Sequence, residues 1–472
     1  MKKYINKFLV VLFAICVVGV TSCSEDTLDE IDENLNASTD VPMSTILPVT
    51  QMSLFYEVVG GDMSLYLAVW SQLVTGVHAQ LHSADRFVFD NTMANNTWNA
   101  TYTTTLKNLR IVMEKADESG SPHYKGVAQV LYAYTASILT DSWGQIPYSE
   151  AVLGAENRSP KYDDQQVVYT DPVMGILAML DDAIVNCGST NSTATPGSDD
   201  LVYGGRMDLW VKAANAVKAK CLTRLANTSA YNAADVIASV NNSFVDNTEA
   251  FIFTGFAEGA TTEHPWFQEE NDRTHFATSE SLFNLLGAKN DPRAEFFFDD
   301  GASSTPAPNG AAELDQGGDL YSKMYDIVNA NSPLEIVTYD QLKFFEAEAY
   351  LSQGNTTDAN TAYEEGVNAA LTRYGVDVAD IATYTAQSSV FPGAGALSLD
   401  DIHEQRYISY YPFQSIEAYS SWRRTNIPAL VNPNGDIPRR VPAAQGELDT
   451  NSSNVPTATT ANGVWWDDGT EN

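Results

Sequence analysis

Apolar side chains recur three and four positions apart along much of this chain, and that spacing confines it to a mainly helical fold. Leu106, Leu109, Val112, Met113 and Ala116 mark residues 103–118, and Val127, Val130, Leu131, Tyr134 and Ile138 mark 123–140. Ile176, Leu177, Leu180 and Ile184 mark 172–186, and Leu209, Ala213, Ala216, Val217, Leu222 and Leu225 mark 207–227. A stripe of this kind lies on one face of a helix and is what the helix buries. Core packing is therefore the role these residues are expected to have.

Residues 338–353 and 358–374 form a close pair of helical patterns. Gly354 is a fitting stop for the first. Ala362, Gly366, Ala369 and Ala370 keep the second slim enough for close approach, with Tyr363 and Tyr374 as large punctuation. Helix, Gly-Asn turn and helix together resemble one tetratricopeptide unit, whose period is about 34 residues. The 103–140 pair is a looser second case. Between helical blocks, residues 187–206, 254–280, 299–334 and 428–472 are rich in small, polar and Pro residues. Loops this long generally serve function, and binding commonly sits on loops carried by a rigid frame. The expected architecture is mainly α, a tetratricopeptide-like helical-repeat scaffold with long irregular loops forming a ligand face.

The first residues read as an export signal. Lys2, Lys3 and Lys7 precede an apolar run from Phe8 to Val20. That run is shorter than the roughly 20 residues a membrane-spanning helix needs. Val20-Thr21-Ser22-Cys23 resembles a bacterial lipoprotein signal, in which the Cys is lipidated and becomes the mature N-terminus. Ser24-Glu25-Asp26 resembles an acidic tag for display on the outer surface. The alternative is an ordinary secreted protein whose signal contains a Cys. The expected organisation is a signal over 1–22, a lipidated acidic tether over 23–42, and one domain over 43–472, with the lipid as the only membrane anchor.

Asp and Glu number 61 against 26 Lys and Arg, a net charge of −35. Such a surface repels nucleic acid and anionic headgroups. With 8 Trp, 23 Tyr and 19 Phe the chain can bury a large core and is not disordered. Cys187 and Cys221 suit either a disulfide in an oxidising compartment or buried free thiols. There is no G-x-S-x-G, H-E-x-x-H, phosphate-binding loop or paired C-x-x-C. The 6 His are scattered. No enzyme activity and no cofactor are expected, although oxygen-rich loops could hold structural calcium.

Several segments carry a family resemblance. Asp141-Ser142-Trp143-Gly144-Gln145-Ile146-Pro147-Tyr148-Ser149-Glu150-Ala151 is followed by Asp171-Pro172-Val173 and Leu180-Asp181-Asp182-Ala183-Ile184. Then come Trp210-Val211-Lys212-Ala213-Ala214-Asn215-Ala216-Val217-Lys218-Ala219-Lys220, Asp291-Pro292-Arg293, and Phe345-Glu346-Ala347-Glu348-Ala349-Tyr350. Gln405-Arg406-Tyr407 and Trp422-Arg423-Arg424 complete the set. In this order they resemble the SusD/RagB family of surface nutrient-binding lipoproteins. The resemblance implies an outer-membrane, lipid-anchored protein facing the exterior. It also implies a TonB-dependent (SusC-like) transporter partner over which the chain acts as a lid, and an oligosaccharide or peptide cargo.

Sugar rings stack their C–H faces on aromatic side chains while their hydroxyls need paired donors and acceptors. Residues 263–276, read as a loop, supply both: His264, Trp266, Phe267, Gln268 and Arg273 are the first ligand candidates. Trp70, Gln72, His78 and Gln80 form a second strip. The 141–151 motif reads instead as a structural turn ending a helix. Arg406, Arg423, Arg424, Arg439 and Arg440 read as buried braces, since Arg pairs bidentately with carboxylates.

Overall fold

The helix Pro122–Trp143 shows how the sequence writes this architecture. Gly120 adopts φ +65°, the left-handed conformation that ends the preceding helix Leu106–Ser119. Pro122 then opens the next helix at a position where its missing N–H costs nothing. The two-residue link turns the chain back on itself, so the two helices pack side by side. Pro122–Trp143 also packs on Ile176–Cys187, which packs on Met207–Arg224. The stack continues through Ala233–Asn241 to Tyr339–Ser352 and Thr356–Arg373. This is a tetratricopeptide-like array of neighbouring helices. Contacts are close enough that a Cβ on Gly126 would stand 2.5 Å from Cys187 Sγ.

The computed structural model describes residues 40–468, apart from residue 260 and residues 325–327. Met1–Pro42 and Met43–Asn472 separate as two units, and the helix stack lies in the second. The leader, Cys23 and the tether as far as residue 39 lie outside the described residues. Among the described residues no helix is long and apolar enough to cross a membrane.

Among the described residues three two-stranded antiparallel ribbons pin the loops: Val74–Gly76 with Phe276–Thr278, Ile146–Pro147 with Tyr162–Asp163, and Phe251–Phe253 with Leu334–Val337. One large apolar core runs through the helix stack. A smaller one, around Phe344, Tyr363, Leu371 and Ile402, lies beneath Thr356–Arg373.

Helix bounds differ from the periodicity in instructive ways. The 172–186 pattern starts as a helix only at Ile176, because Asp171 Oδ1 accepts the N–H groups of Val173 and Met174 at 2.9 Å and forms a turn first. Residues 254–280 were expected to be irregular but hold the helix Pro265–Asp272. Pro265 takes its first position, and His264 Nδ1 caps it by accepting the Trp266 N–H at 3.1 Å. The mostly polar run Gln268–Asp272 hides the helical period. Cys187 and Cys221 are buried free thiols, each pushed up to about 12 by burial.

The 141–151 motif and the arginines hold the fold together. Asp141 Oδ1 accepts from Tyr169 Oη at 2.6 Å and Trp466 Nε1 at 2.7 Å, while Oδ2 meets Arg224 at 3.1 Å. Glu348 takes both Arg406 at 2.6 Å and Arg424 at 2.7 Å. Burial pushes the Glu348 carboxyl up, but Arg424 and Arg406 outweigh it and hold it well below the usual carboxylate range. Arg439 pairs with Asp467. Arg423 and Arg440 instead satisfy backbone carbonyls, of Asp141 and Arg439 and of Trp143, Asn462 and Gly463 respectively.

Candidate ligand-binding groove

A groove of about 920 Å³ opens between residues 52–65, residues 96–104 and the helix Pro265–Asp272. Its first two walls each contain a π-helical stretch, Ser53–Val59 and Ala100–Thr105, packed against each other. Such wide turns are uncommon and frequently mark functional sites. Ser53 Oγ and Thr105 Oγ1 stand 3.2 Å apart where the stretches meet.

Polar groups face the groove from every side. Tyr56 Oη donates to Gln268 Oε1 at 2.8 Å, bridging two walls. Asn96 Nδ2 donates to Asp62 Oδ2 at 2.7 Å, bridging another two. Asn99, Thr103 and Thr104 add an amide and two hydroxyls. Arg273 Nη1 lies 3.4 Å from Glu269 Oε2, and His275 Nδ1 lies 2.9 Å from Glu269 Oε1. Burial pushes the Glu269 carboxyl up, partly offset by Arg273. Burial pushes the His275 imidazole down, helped by His78 and Arg273. The Tyr66 phenol is pushed up to about 12 by burial and then by the charges of Asp62 and Glu269. Side-by-side donors and acceptors around one tyrosine ring can fix hydroxyl-rich molecules in orientation. Among the described residues no group of three or more His, Cys, Asp or Glu gathers to hold a metal.

The structure sorts the candidates named from sequence. Gln268 and Arg273 line the groove. Trp266 does not: it is 0% exposed, packs on Phe276 and Phe413, and donates Nε1–H to Ser64 Oγ at 2.9 Å. A ring without exposed surface has no face to offer a sugar. His264 is equally buried as the helix cap, and Phe267 is half-buried against the core. Trp70 is 0% exposed, with Nε1–H on the Ala84 carbonyl at 3.2 Å. Gln72 is buried and holds Ser281 Oγ at 2.6 Å and the Val431 N–H at 3.2 Å. His78 is half-buried and Gln80 exposed.

The two strips, nearly 200 residues apart in sequence, are neighbours in space. Pairing of Val74–Gly76 with Phe276–Thr278 places Gly76 opposite Phe276 and sets the His78 and His275 rings 5.3 Å apart. Sequence reasoning missed Tyr56, Asp62, Asn96 and Asn99. The cluster Asn95-Asn96-x-x-Asn99, unusually rich in amides for a helix, was the available signal.

The comparisons with known proteins agree with this fold. The chain resembles a SusD/RagB family protein from Bacteroides thetaiotaomicron at 26% identity and TM-score 0.77, covering 92% of this chain and 100% of that one. A chitin-binding protein matches at 23% identity and TM-score 0.77, over 90% of this chain and 100% of that one. A chitin-binding SusD homologue from Flavobacterium johnsoniae matches at 19% identity and TM-score 0.77, over 90% and 99%. No curated protein matches the sequence. The SusD-like family model, described as starch-binding and associating with the outer membrane, matches residues 35–442, and the chain belongs to that family.

Proposed function

We propose that this protein is a non-enzymatic glycan-binding lipoprotein, anchored through lipid on Cys23 and exposed on the cell surface. In this reading it captures glycan fragments and delivers them to a TonB-dependent, SusC-like outer-membrane transporter. The observation that carries the binding step is the groove of about 920 Å³ walled by amides, hydroxyls and carboxylates around Tyr56. Its volume and few oriented polar groups suit a ligand of several sugar units. The family's description as starch-binding and outer-membrane-associating supports the same reading, as do the chitin-binding neighbours that share the fold.

Affinity electrophoresis and calorimetry of residues 40–472 against starch, chitin and other polysaccharides test it. Selective binding without release of new reducing ends is expected. Silence across the panel overturns the glycan cargo, and new reducing ends overturn the non-enzymatic role. Glu57, Asp62, Glu269 and Asp272 in the groove, against Arg273 alone, favour one second reading, a cationic peptide cargo. Binding of basic peptides only would select it. Detergent extraction of native membranes should bring down a large β-barrel partner.

A further inference from the structure

We propose that a second pocket, walled by Phe87 and Phe89 with the buried Trp422 at its base, is a sugar subsite separate from the groove; this rests on the glycan-binding reading. The pocket encloses about 430 Å³. Phe87 and Phe89 are only half-buried, so ring surface remains open to it. Asn432, Asp436 and Thr460 supply polar groups at the rim. Ring faces for C–H contacts beside acceptors and donors for hydroxyls are the complement of a pyranose.

The wall is fixed from behind. The Phe89 ring lies 5.1 Å from the buried Trp70, which in turn lies 5.7 Å from Tyr419. The Arg439 guanidinium sits 5.4 Å from the Trp422 ring and is itself held by Asp467. Rings locked in place lose little freedom when a ligand arrives. Arg439 is committed to that brace, so the pocket offers a neutral sugar no competing free guanidinium.

Phe87 carries the most specific sign. It adopts φ +57°, the left-handed conformation that closes the helix Ala79–Ala84. Its N–H reaches the Ala84 carbonyl and the Val88 N–H reaches the Ser83 carbonyl, each at 2.9 Å. Glycine is the favoured residue in that conformation, and a bulky side chain there is strained. The ring is not compensated by full burial. Strain kept at an aromatic only half-buried against the core points to a task for that ring.

The helix Asp62–Trp70 links both sites: Asp62 and Leu65 line the groove, while Trp70 backs Phe89. Its rise sets Asp62 and Trp70 roughly 12 Å apart along one rigid element. An oligosaccharide long enough to engage both gains from each.

Calorimetry with maltoheptaose and N-acetylchitohexaose, on the wild type and on Phe87→Gly and Phe89→Ala, tests the subsite. Phe87→Gly removes the ring and suits the backbone, so it should melt with the wild type. It should weaken the bound oligosaccharide at least about tenfold, as should Phe89→Ala. Phe87→Asn, which also tolerates this conformation, serves if the glycine variant misfolds. Unchanged affinity in these variants, with the wild type still binding, overturns the subsite and leaves the glycan reading intact. No binding by the wild type overturns both. Unchanged glycan affinity with loss of the co-purifying β-barrel partner makes the patch a protein-docking face and also overturns the subsite.

Discussion

Trp266 donates its Nε1–H to Ser64 Oγ at 2.9 Å, which pins the helix Pro265–Asp272 to the helix Asp62–Trp70. The bond joins two groove walls from their buried sides. Trp266→Ala should therefore act on stability. Removing a buried indole costs about 3–5 kcal/mol, and the Ser64 hydroxyl loses the donor it accepts from while keeping its own bond to the Gly61 carbonyl. Denaturant unfolding should show that loss, and an unchanged midpoint would contradict the burial.

Gln268 sits two residues further on and faces the groove, where it accepts from Tyr56 Oη. Gln268→Ala should leave the melting temperature nearly unchanged and weaken glycan binding by about 1 kcal/mol, the size of one polar contact. Titration calorimetry with the oligosaccharide selected by the panel checks it. Equal affinity would remove Gln268 from the site.

The contribution of neutral His264 to stability should fall as pH drops below about 6.5, against an opposite drift from Asp85 and Glu270, whose carboxyls burial pushes up to about 7. Burial pushes His264 down to about 3, so between about 6.5 and about 3 the unfolded chain binds a proton that the folded chain refuses. The loss is at most about 1.4 kcal/mol per pH unit from this residue. His264→Asn keeps a capping acceptor and should remove this fall from thermal-melt data collected between pH 7 and 5.

Glu348→Gln should be among the most destabilising single changes. It removes the charge that Arg406 and Arg424 share at 2.6 and 2.7 Å and leaves two buried guanidiniums without a counter-ion. Breaking such a group costs about 3–5 kcal/mol, measurable by chemical denaturation. Because the Glu348 carboxyl is held well below its ordinary value, its contribution is complete above about pH 4.5 and is lost only in acid below that.

Cys23→Ala should move the protein from the membrane fraction to the soluble fraction, since lipid on Cys23 is the proposed anchor. Fractionation with detection of the intact chain checks it, and unchanged membrane association would remove Cys23 from that role.

Much of the frame was legible because local chemistry dictates it. Gly120 and Pro122 mark a helix end and a helix start whatever surrounds them, and apolar spacing chooses the buried stripe. The bracing role of Arg406, Arg424 and Arg439 was readable in outline, since a buried guanidinium needs a carboxylate or carbonyl, whereas their partners Glu348 and Asp467, and the Arg224–Asp141 pair, were not. The groove was less legible. Tyr56, Asp62 and Asn96 belong to separate stretches whose polar residues look like any solvated helix face. Only packing of Ser53–Val59 against Ala100–Thr105 turns them toward one space.

The sequence by itself determined most of the helix placement, the family order of motifs and which arginines brace the fold, because these rest on spacing and on pairing rules. The tertiary structure decided which side of each element meets solvent. Trp266 and Gln268 are two residues apart on one helix and therefore point to opposite faces. Ser64, Phe276 and Phe413 cover one of those faces and leave the other to the groove. Partners so distant in sequence leave no trace in a local pattern, so the aromatic that looked most like a platform became core and its polar neighbour became the wall.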